Sequence, residues 1–409
     1  MRAFHFSSDH HRVEVSLFVI IAIGLISLLI QDASGTQAVT ASRPSSNLPK
    51  TGDVYVAPQG NDANDGSQSH PWATIGHAST AIGPGARVHV APGVYKEALV
   101  TTVSGTASAR IEYVSDKKWG AVIDPADRSV CSWKDTGNYT DIVGFDVRGS
   151  SCVGIGLGGS FQKAEGNDVH NSAAGCNDNQ GNGGAGIDSY NYDARDNDIV
   201  GNFVHDVGLG DPLCGQQQKS RFVHGIYQGT PGGHIASNLV VDNCSFGIHL
   251  WHAASHATIT NNTVLRNRSG GIIIGSGDKP CSSSGCEGND YTVVRNNIVA
   301  YNGNPKLLSY GILEEAAAGG RIGTHNQYSH NLSYGNRGGD FAISNKRCES
   351  CIQGRDPGFV SLATADFHLK KDSPARGAGT DRDIPEKNFD GKPISRSSGI
   401  HIGALGDAP

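Results

Sequence analysis

A short phrase that opens on asparagine and closes on asparagine or aspartate returns along the middle of the chain. It reads Asn167-Asp168-Val169-His170-Asn171, Asn202-Phe203-Val204-His205-Asp206 and Asn238-Leu239-Val240-Val241-Asp242-Asn243. It returns as Asn262-Thr263-Val264-Leu265-Arg266-Asn267, Asn297-Ile298-Val299-Ala300-Tyr301-Asn302 and Asn331-Leu332-Ser333-Tyr334-Gly335-Asn336. Successive starts are 35, 36, 24, 35 and 34 residues apart. A Gly-Ile pair follows most copies, at Gly186-Ile187, Gly225-Ile226, Gly247-Ile248, Gly271-Ile272 and Gly311-Ile312. A period of this size marks a stacked repeat. The units are short β runs rather than helix pairs, so the predicted stack is an all-β solenoid, each rung burying its apolar side against its neighbours. Asparagine suits the tight turns, because it tolerates the left-handed conformation and its amide can bond to the asparagine one rung away. These asparagines are read as structural. Asn-x-Ser/Thr triplets begin at Asn261, Asn267 and Asn331, but a buried ladder position is a poor glycan acceptor.

The 55 glycines, single methionine and 18% charged residues suit turns and strands better than helices. A formal net charge of −6 leaves no basic footprint for nucleic acid. Residues 1–35 read as a signal peptide: Arg2 and Arg12 precede the apolar run Leu17 to Ile30, and Ala33-Ser34-Gly35 follow. The run is short of the roughly 20 residues that span a bilayer. The expectation is a secreted, periplasmic or extracellular protein, with a membrane anchor over residues 13–30 as the alternative if the segment is not cleaved. Residues 36–52 read as a Ser/Thr/Pro-rich linker. Nine cysteines agree with an oxidising compartment. The spacing suggests Cys131 with Cys152, Cys176 with Cys214, Cys281 with Cys286 and Cys348 with Cys351, leaving Cys244 free. The Cys348-x-x-Cys351 pair lacks the context of a redox or zinc site and is read as a structural disulfide or free thiols.

Residues 53–124 read as an N-terminal cap with the first strands. Asp53 to Val56 is a predicted strand, Ala73 to Ile82 has apolar residues at helical spacing and stops at Gly83-Pro84-Gly85, and Arg87 to Tyr95 alternates as one strand. Regular rungs are expected over 125–345 and a C-terminal segment over 346–405. Val54-Tyr55-Val56-Ala57-Pro58, Gly60-Asn61-Asp62, Asn64-Asp65-Gly66-Ser67, Pro71-Trp72-Ala73-Thr74-Ile75 and Pro92-Gly93-Val94-Tyr95 open the chain. Asp356-Pro357-Gly358-Phe359-Val360, Asp366-Phe367-His368-Leu369, Ser373-Pro374-Ala375, Gly377-Ala378-Gly379, Asp390-Gly391 and Ile400-His401-Ile402-Gly403-Ala404 close it. Together these resemble the two ends of the pectin-lyase-like superfamily. The resemblance implies a single-stranded right-handed parallel β-helix with a short N-terminal capping helix over residues 53–405. That superfamily includes pectate lyases, other polysaccharide lyases, glycoside hydrolases, epimerases and proteins without known catalysis. No subfamily catalytic motif is carried over.

Strand residues alternate between inside and outside. If the isoleucine of each Gly-Ile pair faces inward, the outward column is Asp188, Tyr227, His249, Ile273 and Leu313. A second column, two residues on, is Tyr190, Gly229, Trp251, Gly275 and Glu315. Asp188, Tyr227 and His249 then form a polar strip and the candidate catalytic group. Tyr190 and Trp251 stand beside it as platforms for sugar rings. Long insertions over 172–185 and 207–224 flank the strip. The second carries Asp211, Lys219, Arg221 and His224, of which Lys219, Arg221 and His224 are candidate substrate contacts. His170 and His205 repeat on adjacent rungs, but two histidines without a spaced third ligand make a weak metal site. Asp193, Asp196 and Asp198 carry the oxygen ligands that a calcium ion takes, although a solvated turn is the plainer reading. No other cofactor is expected. Gly154-Ile155-Gly156-Leu157-Gly158-Gly159 matches a dinucleotide fingerprint, but no helical pattern follows it.

Asp188 and Glu315 stand four rungs apart in this reading, too far for one glycosidic bond, so a hydrolase would need Asp211 beside Asp188. A lyase needs a base, an acid and a cation for a uronate carboxylate. His249 or Tyr227 and Lys219 or Arg221 supply these. The expectation is a monomeric polysaccharide lyase acting on a polyuronide. A glycoside hydrolase and a non-catalytic carbohydrate-binding or surface protein are the alternatives.

Overall fold

The computed structural model describes residues 49–173, 183–209, 214, 222–252, 254–277, 288–304, 310–317, 319–344, 347–396 and 399–407. The candidate signal or anchor segment, most of the linker, and Cys176, Asp211, Lys219, Arg221, Cys281 and Cys286 lie outside them. Each rung supplies one strand to each of three parallel sheets, which hold 11, 10 and 9 strands among the described residues. One rung comprises Asp198–Val200, Phe203–His205 and Val223–Gln228. The next comprises His234–Ala236, Leu239–Val241 and Phe246–Leu250. In chain order these lie on the first, second and third sheets. The rungs stack in register, with Phe203 opposite Leu239 and Ile226 opposite Ile248. Inside the coil, Val169, Val204, Val240, Val264 and Val299 stack from the second sheet, and Ile187, Ile226, Ile248, Ile272 and Ile312 from the third, all fully buried.

The repeated asparagines run through the corner between the first and second sheets. The side-chain amides of Asn167, Asn202, Asn238, Asn262 and Asn297 each donate to the side-chain oxygen of the asparagine one rung on, at 2.9–3.0 Å. A second ladder joins Asn243, Asn267, Asn302 and Asn336 at the other end of the phrase. Of the asparagines in the phrase Asn171 has the expected left-handed backbone, but no member of either ladder does. That conformation falls on the residue before, at Gly166, Gly201, Ser237, Asn261, Asn296 and His330. The preceding residue makes the turn, and the asparagine beyond it points its amide inwards along the stack. The triplet asparagines are buried, Asn267 and Asn331 within the ladders and Asn261 beside them, where its amide donates to the His401 carbonyl at 3.1 Å.

At the N-terminal end the first strand, Lys50–Val56, begins three residues earlier than expected. The helix Ile75–Ala81 follows, capped by Thr74. Its first turn rests on two carboxylates. Asp62 accepts from the backbone N–H of Ala73 and Thr74, and Glu97 from Ile75 and Gly76, all at 2.8–3.0 Å. Such charge-assisted bonds satisfy donors that a helix start leaves open. The run expected as one strand to Tyr95 is two, Ile82–Val90 on the first sheet and Gly93–Tyr95 on the second. Ala91-Pro92 turns the corner between them, where proline supplies no N–H to a ladder.

The C-terminal segment covers the outer face of the second sheet. Leu239, Val241, Leu265, Ile298, Ala300 and Leu332 point outward there and join Phe359, Phe367, Leu369 and Ile402 in a second apolar core. Disulfides join Cys131 to Cys152 and Cys348 to Cys351. Cys214 pairs with Cys244 rather than with Cys176. Cys244 sits one rung above Val207 and donates its backbone N–H to the Val207 carbonyl, and the insertion that carries Cys214 leaves the coil just after Val207.

On the same sheet His170 and His205 stack at 5.0 Å, with rings within 6° of parallel. Their nitrogens meet carboxylates, His170 with Asp146 and His205 with Asp168 and Asp206. The pair is therefore a hydrogen-bonded ladder with carboxylates rather than an open ligand set. Burial of the His205 ring opposes its charge, but Asp168 and Asp206 outweigh it and push the pKa up to about 9. A pKa raised above the unfolded value of about 6.5 stabilises the fold below that value and loses the contribution as pH rises through the folded pKa. The stability difference between the wild type and His205→Gln, read from urea midpoints, is expected to be largest near pH 6 and to shrink towards pH 10. A constant difference across that range would show that His205 is not the titrating group.

Candidate active site on the third sheet

The outward column stands in the expected register. Gly156, Asp188, Tyr227, His249, Ile273 and Leu313 are successive partners across the third sheet, and Lys134 precedes Gly156. Asp188, Tyr190, His224, Tyr227, His249 and Trp251 line one cleft of about 650 Å³, with Glu315 at its far side. Flat aromatic floors are possible because the neighbouring rungs carry glycine. A β-carbon on Gly275 or Gly277 would come within 2.2 or 2.6 Å of the Trp251 ring. Gly156 and Gly158, two of the four glycines in the stretch that matches a dinucleotide fingerprint, make the same space for Tyr190, with approaches of 3.2 and 2.5 Å.

Alternation slips at each Gly-Ile pair. A β-carbon on Gly186, Gly225 or Gly247 would strike the inward Val204, Val240 or Val264, so glycine and isoleucine both face the core. The residue before the glycine is thereby returned to the outer face. This puts His224 next to His249 on the neighbouring strand, their nitrogens 2.7 Å apart. His224 was expected to meet substrate from the insertion, but it is 3% exposed and lies in the cleft wall. Burial pushes its pKa down to about 3. His249 is 7% exposed, with Tyr227 and Trp251 edge-on to it at 5.6 and 5.1 Å. Tyr227 is more open.

Asp188 is half-buried. One of its carboxylate oxygens is sealed from solvent, with no hydrogen-bond partner among the described residues. That desolvation pushes its pKa up to about 7, against a smaller opposing pull from Lys134. Burial and the charges of Asp188 and Asp135 raise the Tyr190 pKa. The position of Tyr192 and His252 was not anticipated. Their side chains bridge at 2.6 Å across the cleft edge, and His252 also meets the Gly277 carbonyl at 3.1 Å. Both follow their strands' ends, where period-two patterning no longer applies.

Calcium takes about six to eight oxygen ligands. Asp196 pairs with Arg195 and Asp198 with His234. Among the described residues no group of three or more His, Cys, Asp or Glu is arranged to hold a metal ion. Asp193, Asp196 and Asp198 thus do not form such a group among the described residues.

A family model described as the Pel9A-like, right-handed β-helix region matches residues 54–345. The chain belongs to this Pel9A-like family. The coil is thus right-handed, as the resemblance implied. Pectate lyase Pel9A superposes with a TM-score of 0.60 at 18% identity, over 88% of this chain and 98% of that one. A rhamnogalacturonan lyase superposes with a TM-score of 0.54 at 17% identity, over 77% and 92%. At these identities the likeness is one of fold. Uncharacterized protein YwoF of Bacillus subtilis (strain 168) is 30% identical over 107 residues, which are 26% of this chain and 21% of YwoF. That match spans about a fifth of the relative's length.

Proposed function

We propose that this Pel9A-like protein is an exported lyase that cleaves a uronate-containing polysaccharide by β-elimination. The observation that carries the reading is the in-register column Asp188, Tyr227, His249 on three adjacent rungs, lining a cleft with Tyr190 and Trp251. His249 takes the proton from the carbon that bears the uronate carboxylate. The freed electron pair forms the new carbon–carbon double bond, and the glycosidic oxygen on the neighbouring carbon departs. Tyr227 gives that oxygen its proton. At neutral pH Asp188 is in part a neutral acid, which donates a hydrogen bond to the substrate carboxylate and eases its developing charge. Lys219 and Arg221 are proposed to add positive charge from the second insertion. Trp251 and Tyr190 hold sugar rings by stacking. The disulfides support export to an oxidising compartment.

A glycoside hydrolase is supported less well. Glu315 is four rungs from Asp188, about 19 Å at roughly 4.8 Å per rung, whereas one bond needs carboxyls about 5–9.5 Å apart. Incubating the chain with pectate, rhamnogalacturonan and alginate, with and without calcium, tests the reading. A rise in the ultraviolet absorbance of an unsaturated uronate is expected. New reducing ends without that rise would favour hydrolysis, and sugar binding without turnover a non-catalytic role.

A further inference from the structure

The outward column of the third sheet does not begin at Asp188. Towards the N-terminal end it runs through Gly156 to Lys134 and then Val100. Lys134 stands two rungs from Asp188, about 10 Å at roughly 4.8 Å per rung. From Val100 to Leu313 it is the only lysine or arginine in the column among the described residues. Its side chain is exposed and is in no ion pair among the described residues. Its charge nevertheless reaches along the column, where it pulls against the burial of Asp188.

Gly156 separates the two charged groups. A β-carbon there would stand 3.2 Å from the Tyr190 ring and 3.6 Å from Cγ of Lys134. The ring, which starts from the rung of Asp188, thus leans back over the glycine, and the lysine stem meets the same space from the other side. An aromatic face stacks on a sugar ring, and an ammonium forms charge-assisted bonds with a carboxylate. Side by side they have the chemistry of a subsite for an acidic sugar. At the other end of the column stand Ile273 and Leu313, which offer a carboxylate nothing. We infer that Tyr190 and Lys134 form a second uronate subsite, on the N-terminal side of Asp188, and that the substrate carries a further acidic sugar on that side of the one that is cleaved. The inference rests on the reading of the column as the site of a polysaccharide lyase.

Calorimetric titration of the full chain tests the subsite without relying on turnover. The background is Tyr227→Phe, and the probes are oligosaccharides of pectate, rhamnogalacturonan and alginate, each beside its carboxyl-reduced counterpart. On an acidic probe that binds, Lys134→Gln should weaken Kd by about tenfold, the worth of a hydrogen bond to a charged group. It should also flatten the loss of affinity with added salt, and Lys134→Arg should restore both. On the carboxyl-reduced probe Lys134→Gln should change little, whereas Tyr190→Ala should weaken both probes alike. Unchanged binding of every acidic probe in Lys134→Gln would overturn the subsite alone, as would an equal loss on the acidic and reduced probes, which would mean a packing role. Failure of all three acidic probes to bind would overturn the subsite together with the lyase reading. The expected pattern in a chain whose wild type never yields an unsaturated uronate would overturn the lyase reading and leave the subsite standing.

Discussion

Tyr227→Phe and His249→Gln are each expected to lower the elimination rate by about 10²–10⁴-fold, the usual worth of a positioned acid or base, with the melting transition little changed. Tyr227→Phe removes one oxygen and keeps the ring that packs against His224 and His249, so lost activity cannot be ascribed to lost packing. Loss in kcat with KM held would place the residue at the reacting atoms, whereas a raised KM alone would place it in binding. Asp188 adds a pH signature. Its pKa, pushed up to about 7 by burial, means that the donating acid form is lost as pH rises through neutrality. KM in the wild type should then climb above about pH 7, and Asp188→Asn, which keeps a donor without titrating, should flatten that climb. Full activity in both Tyr227→Phe and His249→Gln, with the fold intact, would remove the column from the chemistry.

The column was legible because the repeat carries its own register. Once Ile187, Ile226 and Ile248 are placed inward, the next residue on each rung must lie outward, and the stacking follows from equivalent positions pairing. His224 was misplaced for the same reason. Strict alternation has no provision for a Gly-Ile pair that faces inward at two consecutive residues, and a β-carbon on Gly225 striking Val240 is visible only in three dimensions. The covered face of the second sheet did leave a signal. Leu239-Val240-Val241 is apolar at both parities, which marks a strand buried on both sides, and the C-terminal segment supplies the second side. The Cys214–Cys244 pairing left none, because it depends on where Cys214 lies over the stack in three dimensions.

Asn262→Ala is expected to cost about 3 kcal/mol or more of unfolding free energy, summed over orphaned groups worth about 1–3 kcal/mol each. In the native ladder the Asn262 amide donates to the Ile235 carbonyl at 2.8 Å and to Asn297 at 3.0 Å. Its oxygen accepts from the backbone and side chain of Asn238 at 3.0 and 2.9 Å. Alanine removes all four bonds in a corner closed to water, so the Asn238 N–H and side-chain amide lose their acceptor and the Asn297 oxygen loses a donor. Asn262→Asp is no remedy, because a carboxylate there would face the side-chain oxygen of Asn297 where an N–H now donates. Asn171→Ala serves as the control. Asn171 shares the repeat's phrase but is exposed, its side chain contacts only the adjoining His170 among the described residues, and its backbone is left-handed at φ 52°, so it should lose only its turn propensity, about 1 kcal/mol. The contrast is measured by urea unfolding. Equal losses in the two variants would mean that the asparagines act through local turn propensity. A large loss confined to Asn262 would mean that they act as a continuous hydrogen-bonded spine between the first and second sheets.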